Sequence, residues 1–413
     1  MNHDYQQTKC RYCNSELPKP FLELGSIPLA NSFLTKDQLA ETEFTCPLSL
    51  CYCAACGLVQ LSHVVPPDLM FSNYLYVSST TQTFRKHFAE YAKDLKGKLL
   101  SDKGPLAVDI GSNDGLLLEC YKNEGFRSVG VEPAKNLSKA ANEAGRTTIN
   151  RYFDSACVKE IVERFGRASV VSANNVFAHI HDVQSVCKNV RDLITEDGIF
   201  VLEFPYLVTM VEEMLFDMIY HEHLSYISVN AVSYLFQKFG LEIFDINYVS
   251  SHGGSLRVYV QNKNGGHPIS GRVAQYIEKE KKGGYLQPEI YNQFAGRVQK
   301  VKDEVINQVQ KIKSQSQTIS GYGAPAKGNT LLCYCDLKPS QINYIVDDNP
   351  LKQNHFTPGT KIPVVSSAHL TDNPTNYVII FAWNFAPEII EKLKPLKERG
   401  VRFMVPLPRP TVV

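Results

Sequence analysis

The stretch Val108-Asp-Ile-Gly-Ser-Asn-Asp-Gly115 decides the fold of this 413-residue chain. Apolar residues at 106–110 predict a buried strand before the turn, and the pattern at 116–123 predicts a helix after it. The glycines let the backbone approach a ligand closely, and the start of the helix presents free N–H groups. A plain strand–helix turn without a ligand is the alternative, because a single glycine turn is a weak signal.

Outward from this turn, buried strands alternate with amphipathic helices. We predict strands at 106–110, 128–131, 169–173 and 198–204, helices at 83–99, 116–123, 137–144, 183–193 and 230–239, and an edge hairpin at 241–249 and 255–261. The charged, heptad-like stretch 270–315 predicts one or two long helices. A second alternation then predicts strands at 318–322, 342–347, 377–382 and 402–405, with helices at 329–335 and 387–399. Both alternations indicate parallel sheets covered by helices.

Composition narrows the class of protein. Hydrophobic residues make up 44% of the chain and charged residues 21%, which is typical of a soluble globular protein. The net charge of +1 gives no electrostatic basis for binding nucleic acid or a membrane surface. The sequence has no apolar run of about 18 residues, so we expect a cytoplasmic protein. The predicted fold is α/β, with a small cysteine-rich domain at 1–65, a larger domain at 66–315 and a smaller Rossmann-like domain at 316–413.

Four of the eleven cysteines form two pairs, Cys10-x-x-Cys13 and Cys53-x-x-Cys56, separated by 39 residues. Two such knuckles complete a tetrahedral zinc site with no open coordination position, which favours a structural metal over a catalytic one. A redox dithiol is the alternative. Cys46 and Cys51 lie close enough in sequence to replace a ligand, but the paired spacing argues against it. A region this small has little core, so zinc would supply folding energy.

Glu132, in Val129-Gly-Val-Glu-Pro133, ends the next predicted strand and could accept both ribose hydroxyls of an adenosine. The spacing Asp-x-Gly-x-x-x-Gly resembles that of class I methyltransferases. An acidic residue suits the methionine ammonium of S-adenosylmethionine and would repel a pyrophosphate, so this cofactor is favoured over a dinucleotide. The predicted cofactor residues are Asp109, Gly111, Asn113, Gly115, Glu132 and Asn174.

The run Tyr220-His-Glu-His223 clusters general acid and base groups. In an extended segment, His221 and His223 would share one face, and Tyr220 and Glu222 the other. A His-x-His metal site and ordinary hydrogen-bonded histidines are the alternatives.

Two further stretches could contact a substrate. The aromatic, hydroxyl-rich connector Tyr74-Leu-Tyr76-Val-Ser-Ser-Thr-Thr81 suits a polar ring, and its alternative is a loop that packs its tyrosines on the domain. The turn Gly321-Tyr-Gly-Ala-Pro-Ala-Lys-Gly328, with Asp347 and Asp348 after the next strand, departs from a dinucleotide motif at Pro325 and Ala326. Lys327 could hold phosphates there, or the turn could be purely structural.

The ordered set of motifs, completed by Ser251-His-Gly-Gly-Ser255, resembles the nucleotide-sugar C-methyltransferases over essentially the whole chain. The resemblance implies three domains and methylation of C-3 of a dTDP-linked 4-keto-6-deoxysugar, as in the making of branched deoxysugars. It implies that His223 is the base, that Tyr220 and Glu222 support it, and that Tyr76 or Tyr74 approaches the sugar. The residues expected on the substrate side are Tyr74, Ser78, Asn175, His221 and Lys327.

Two other classes of protein stay open at this point. An NAD-dependent oxidoreductase would use the second glycine turn for its dinucleotide. A zinc-containing scaffold without catalysis would have no need of the histidine cluster.

Overall fold

A small antiparallel sheet precedes the region of the first glycine turn. The computed structural model describes residues 5–71, 82–101 and 104–413, except for the side chains of Phe71, Gln82, Thr83 and His252. Strands β1 (Leu22–Pro28), β2 (Thr45–Tyr52) and β3 (Val59–Leu61) pair in that order. The sequence pattern indicated only turns here. The sheet exists because β2 is buried along most of its length, with Leu48 and Leu50 fully enclosed.

The central sheet is mixed, with seven strands among the described residues. Its order is β10-β11-β8-β7-β4-β5-β6, and β11 runs antiparallel to both of its neighbours. Its strands are β4 (Leu106–Ile110), β5 (Arg127–Val131), β6 (Thr148–Ile149), β7 (Ala168–Asn174), β8 (Ile194–Pro205), β10 (Leu241–Val249) and β11 (Ser255–Asn262). The predicted edge hairpin is confirmed. In the middle of the sheet, Val108 lies beside Val129 on one side and Val171 on the other.

Helices cover both faces of the central sheet and lead into it. They are α1 (Pro67–Phe71), α2 (Gln82–Lys98), α3 (Leu116–Asn123), α4 (Lys135–Glu143), α5 (Ser155–Phe165), α6 (Val183–Leu193), α7 (Leu207–Glu212) and α8 (Val229–Lys238). The sequence analysis missed α5. Its start is fixed by Asp154, whose carboxylate accepts the Cys157 N–H at 2.7 Å, and its buried side is narrow.

One short strand of the central region belongs to the other sheet. Strand β9 (Ser225–Tyr226) follows the Tyr220–His223 run and pairs with β3, with Tyr226 opposite Val59. The chain segment just after the histidine cluster is therefore part of the first sheet, a crossing that the sequence pattern did not indicate.

Two helices, α9 (Gly271–Lys282) and α10 (Pro288–Ser314), connect to the last domain, as predicted. Its sheet has the order β14-β13-β12-β15-β16-β17. The strands are β12 (Ile319–Tyr322), β13 (Ile345–Val346), β14 (Val364–Val365), β15 (Tyr377–Ile380), β16 (Arg402–Val405) and β17 (Thr411–Val412), and the helices are α11 (Ala326–Tyr334), α12 (Ser367–Asp372), α13 (Ala386–Lys392) and α14 (Lys394–Glu398). The helix predicted at 387–399 is two helices. In the parts of the chain described, no helix has the length and apolar character to cross a bilayer.

Candidate active site and zinc centre

The four paired cysteines converge on one point. Their Sγ atoms all lie within 4.8 Å of one another, with 3.5 Å between Cys10 and Cys56 and 3.5 Å between Cys13 and Cys53. Thiolates bound to tetrahedral zinc at about 2.3 Å lie roughly 3.8 Å apart, whereas a disulfide needs about 2.05 Å. The hydrogen bond between Cys10 and Cys56 lowers the pKa of the Cys10 thiol and raises that of the Cys56 thiol, so the two sulfurs share a proton when no metal is bound. The residues therefore fit zinc, with all four positions supplied by sulfur.

The first glycine turn has the backbone shape that its sequence predicted. Gly111 has φ 69° and Asn113 has φ 52°, both in the left-handed region. A Cβ at Gly111 would lie 2.6 Å from Cγ2 of Val176, so a larger residue does not fit. Gly111 and Asn113 line a cleft of about 1900 Å³, at the carboxyl edge of the parallel strands where ligands bind in such folds.

Glu132 lies on the wall of the same cleft. Its Oε2 accepts the Asn113 N–H at 2.9 Å and its Oε1 accepts the Ala134 N–H at 2.8 Å. Burial raises the pKa of this carboxyl, and the two backbone donors oppose the shift. The glycine turn is thus tied directly to the acidic residue that we expect at the ribose.

Asp109 and Gly115, both predicted at the cofactor, are not among the residues that line the cleft. Asp109 is enclosed between β4 and β7, where it accepts the Ser172 hydroxyl at 2.6 Å, and it does not line the cleft. Burial raises its pKa to about 7. Gly115 begins α3 with φ 78°, and a Cβ there would lie 2.8 Å from Cδ of Arg146. Asp109 contacts Ser172 of β7, and a side chain at position 115 would point at Arg146. Both residues therefore shape the turn without lining the cleft.

Asn174 and Asn175, at the end of β7, present polar atoms to the cleft. Asn175 Nδ2 donates to Asn174 Oδ1 at 2.8 Å, and Asn175 has φ 54°. Asn174 Nδ2 and Asn175 Oδ1 are shielded from solvent, and neither has a hydrogen-bond partner in the part of the chain that the structure describes. A polar ligand in the cleft would satisfy both atoms. With the glycine turn and Glu132, this arrangement fits S-adenosylmethionine.

The second histidine of the cluster has a defined orientation. His223 Nδ1 lies 2.9 Å from the carbonyl oxygen of Met218, and Nε2 lies 2.7 Å from the Tyr220 hydroxyl. A carbonyl only accepts, so Nδ1 carries the proton and donates it to Met218. Nε2 of the neutral ring is then an acceptor, and Tyr220 donates to it. Both residues line the cleft.

His221 is not in the cleft, which corrects its assignment to the substrate side. Its ring is 1% exposed, and Nε2 donates to the carbonyl of Cys46 in β2 at 3.0 Å. Burial lowers its pKa to about 4. The expected alternation of faces was wrong because residues 220–223 form a turn, in which the His223 N–H donates to the Tyr220 carbonyl. The His-x-His metal site fails for the same reason.

Glu222 lines the cleft and is buried, and its Oε1 accepts from Asn31 Nδ2 of the zinc-binding domain at 2.6 Å. The predicted connector residues Tyr74, Tyr76 and Ser78 lie outside the described residues.

The last domain closes the cleft opposite the histidine cluster. Lys327, in the first turn of α11, lies 3.8 Å from the ring centroid of Trp383 and donates to Asn384 Oδ1 at 2.6 Å. Trp383 Nε1 donates to Asp217 Oδ2 at 2.6 Å, just ahead of the histidine cluster. Burial lowers the pKa of Lys327 to about 8 and raises that of Asp217 to about 6.

The sequence analysis missed several cleft residues. His179 meets the His223 ring edge-to-face at a centroid distance of 4.8 Å. His87 Nε2 lies 2.9 Å from Glu203 Oε1, beside the cleft. Asp217, Trp383 and Asn384 also escaped notice. His179 stands in the run His179-Ile-His181-Asp182, a clustered signal that could have been used, whereas no such cluster surrounds His87 or Asp217.

The acidic residue next to the second glycine turn, Asp347, accepts hydrogen bonds from the backbone. Asp347 accepts the Ala324 N–H at 2.7 Å and the Asn349 N–H at 2.8 Å, as Glu132 does in the central domain. Lys352 donates to the Ala324 carbonyl at 2.9 Å from the cleft side. The turn is therefore braced by side chains on both sides, and its opening joins the common cleft.

Comparison with known proteins gives matches along the whole chain. Family models match as a zinc binding domain at residues 10–71, a methyltransferase domain at 84–246 and a C-methyltransferase C-terminal domain at 250–408. The C-methyltransferase NovU of Streptomyces niveus is 36% identical over 405 residues, which cover 98% of this chain and 96% of NovU.

Partial matches fall on methyltransferases as well. A ubiquinone biosynthesis O-methyltransferase of Azorhizobium caulinodans is 28% identical over 118 residues, 28% of this chain and 45% of that protein. The solved structure of magnesium protoporphyrin IX methyltransferase from Synechocystis, with S-adenosylmethionine bound, superposes with a TM-score of 0.32 at 13% identity, over 43% of this chain and 79% of that one.

The full-length match to NovU and the three consecutive family models agree with the zinc centre and the cofactor turn. These matches favour a methyltransferase over the two alternatives left open by the sequence, a non-catalytic scaffold and an oxidoreductase. The chain belongs to the C-methyltransferase family and is an S-adenosylmethionine-dependent enzyme with a zinc-binding domain ahead of its methyltransferase domain.

Proposed function

We propose that this enzyme transfers the methyl group to C-3 of a nucleotide-linked 4-keto-6-deoxysugar, with His223 as the base. The observation that carries the proposal is the position of His223, on the wall of one cleft that also contains Gly111 of the cofactor turn and Lys327 of the last domain. The base lies between the cofactor turn and a crevice lined by a lysine. This arrangement suits an acceptor molecule with a reactive ring at one end and an anionic tail at the other.

The orientation of His223 supports its role. With Nδ1 donating to the Met218 carbonyl, Nε2 is the basic nitrogen and faces the Tyr220 hydroxyl. The same carbonyl stabilises the imidazolium that forms after proton transfer. A substrate hydrogen at Nε2 would displace Tyr220, and the freed phenol could then donate to a developing enolate oxygen.

The chemistry follows from the 4-keto group. It acidifies the hydrogen on C-3, and His223 Nε2 accepts that proton while the electron pair moves toward the keto oxygen. Bound S-adenosylmethionine supplies the methyl group as an electrophile on positively charged sulfur. Asn174 and Asn175 would hold the ligands in register at the end of β7, and closure of the cleft by three domains would exclude water.

Two lysines support an anionic tail, for which we propose a dTDP group. Lys327 and Lys352 both line the part of the cleft next to the second glycine turn. Neither side chain reaches a carboxylate within 3.5 Å, since Lys352 lies 3.9 Å from Asp347 and Lys327 donates to Asn384. A diphosphate would give both ammonium groups an anionic acceptor at hydrogen-bond distance.

The test incubates dTDP-, GDP- and CDP-linked 4-keto sugars with S-adenosylmethionine and follows product mass. We expect the mass of a dTDP-linked sugar to increase by one methylene group. When the substrate carries deuterium at C-3, the product should lose that deuterium, which identifies C-3 as the methylated carbon. His223→Asn should lower turnover by about 10²–10⁴-fold, and it should also abolish exchange of the C-3 hydrogen with deuterated water when S-adenosylhomocysteine replaces the methyl donor.

A matched control is His355→Asn, because the His355 ring bonds to the local Gln353 carbonyl, with Nδ1 3.0 Å from the oxygen, and His355 lies off the cleft wall. It should keep wild-type turnover. Wild-type turnover in His223→Asn would place the base elsewhere. No mass gain with any nucleotide sugar would refute the sugar acceptor and leave the family assignment intact.

A further inference from the structure

A short segment of the zinc-binding domain reaches the active site. After β1 ends at Pro28, the chain turns, with the Ser32 N–H donating to the Leu29 carbonyl at 3.1 Å. Leu34 then exchanges both backbone hydrogen bonds with Phe356 of the last domain, at 2.9 and 2.8 Å. The turn is thus fixed at both ends by different domains, and Asn31 lies in its middle.

Asn31 makes a contact that joins the domains at the catalytic run. Its Nδ2 donates to Glu222 Oε1 at 2.6 Å, and both residues line the cleft. A carboxylate only accepts hydrogen bonds, so the amide must present its NH₂ group to Glu222.

The charge around Glu222 comes from the opposite wall. Lys352 lines the same cleft, and its Nζ lies 5.4 Å from the Phe33 ring, two residues from Asn31. Burial lowers the pKa of Lys352, while Asp347 and then Glu222 oppose that shift. The Glu222 carboxylate therefore has a neutral donor from one domain and an electrostatic interaction with a cation from another.

We propose that Asn31 is a positioning residue for methyl transfer: its amide fixes the Glu222 carboxylate in the orientation used beside His223. The proposal rests on the proposed function of the Tyr220–His223 cluster. It assigns a part in the reaction to the zinc-binding domain that the four cysteines themselves cannot have, since their coordination is complete.

Two substitutions separate hydrogen-bond donation from packing. Asn31→Ala removes the donor, and we expect kcat to fall roughly 10- to 100-fold, the range for a hydrogen bond to a charged group, with little change in the KM for S-adenosylmethionine. Asn31→Asp keeps the shape but sets two carboxylates against each other. It should be at least as impaired near neutral pH and should recover as the pH falls, because a protonated carboxyl can donate.

The control is Thr35→Ala on the same segment, whose exposed hydroxyl bonds only to the nearby Gln38 side chain at 3.2 Å. It should behave as wild type. Equal activity of Asn31→Asp and wild type at all pH values would overturn the proposal. Zinc content and melting temperature of each variant establish that it has folded.

A double-mutant cycle tests whether Asn31 acts through Glu222. In a Glu222→Gln background, Asn31→Ala should cause little further loss of kcat, whereas equal losses in both backgrounds would contradict the proposal. If the wild type methylates no nucleotide sugar, the proposed function fails and a substrate-free measurement decides about Asn31. Crystal structures of wild type and Asn31→Ala should then show a displaced Glu222 carboxylate, and an unmoved carboxylate would refute the positioning role.

Discussion

His221 and His223 are two residues apart and have opposite surroundings. His223 offers its Nε2 to the cleft, whereas His221 is enclosed against β2 and donates to Cys46. The sequence indicated the cluster, because it places four acid and base side chains in a row. It could not separate the two histidines, because a turn and not an extended strand sets their directions, and a turn of four residues has no periodic signature.

The burial of His221 makes a pH prediction. Its pKa is about 4 in the folded protein and 6.5 when exposed, so the unfolded chain binds the extra proton between these values. This part of the stability is present above pH 6.5 and is lost as the pH falls toward 4. By linkage, wild type should lose about 2 kcal/mol more than His221→Gln between about pH 7.5 and about pH 5.

Denaturant unfolding at the two pH values measures the change in unfolding free energy for each protein. Titration of the zinc thiolates contributes equally to wild type and His221→Gln, so it cancels in the comparison. Glutamine keeps an N–H donor for the Cys46 carbonyl, so the variant should fold. An identical pH response of the two proteins would show that His221 does not titrate between folded and unfolded states.

At the scale of secondary-structure elements, the region around the glycine turn between β4 and α3 shows which elements the sequence predicts and which it does not. Sequence pattern predicted β4, α3 and α6 at their observed bounds, because each has a continuous buried face. It could not predict β6 or β14, which have two residues each, since two residues carry no period. It predicted that Asp109 contacts the ligand because the motif names the residue without its direction, whereas the register places its carboxylate beside the Ser172 hydroxyl, off the cleft wall.

Gly111→Ala tests the turn as a unit. The added Cβ would meet Val176 at 2.6 Å in a backbone with φ 69°, so the turn must shift. Left-handed strain alone costs about 1–2 kcal/mol. Calorimetry with S-adenosylhomocysteine should therefore show binding weakened by roughly tenfold or more.

Gly296→Ala is the matched control, because Gly296 is exposed within α10 and a Cβ there meets nothing within 4 Å. Binding should be unchanged, and the protein should gain about 0.5–1 kcal/mol of stability. Unchanged binding in Gly111→Ala would remove this turn from the cofactor site.

At the scale of the whole molecule, the domains meet at the active site in ways that motif order alone does not reveal. The ordered motifs predicted the zinc centre and two α/β units. They could not predict that β9 would join the first sheet, or that Asn31 would reach Glu222 across 191 residues of chain. Contacts of that separation depend on how finished domains pack, and no local pattern encodes them.

Zinc removal should therefore disturb the Tyr220–His223 run as well as the knuckles. Cys53 and Cys56 lie between β2 and β3, and β3 pairs with β9 directly after His223. We expect a chelator to speed amide hydrogen exchange at residues 219–226, including the Leu224 N–H that donates to the Ala178 carbonyl.

Exchange in the paired strands β12 and β15 of the last domain serves as the internal reference and should not change. Faster exchange confined to residues 10–56 would show that the metal supports only its own knuckles. Readdition of zinc should restore the slow exchange.

The joining of the first and last domains also has a consequence for synthesis on the ribosome. The Gly359 N–H donates to the Glu43 carboxylate and Lys361 Nζ donates to the Leu39 carbonyl, across 316 and 322 residues. A nascent chain that stops short of Phe356 already holds the cofactor turn and His223, yet it lacks the strand partner of Leu34 that fixes the Asn31 turn. The segment around Asn31 is thus completed by one that is synthesised much later, and a product released before Phe356 lacks the Leu34–Phe356 pairing that fixes this turn.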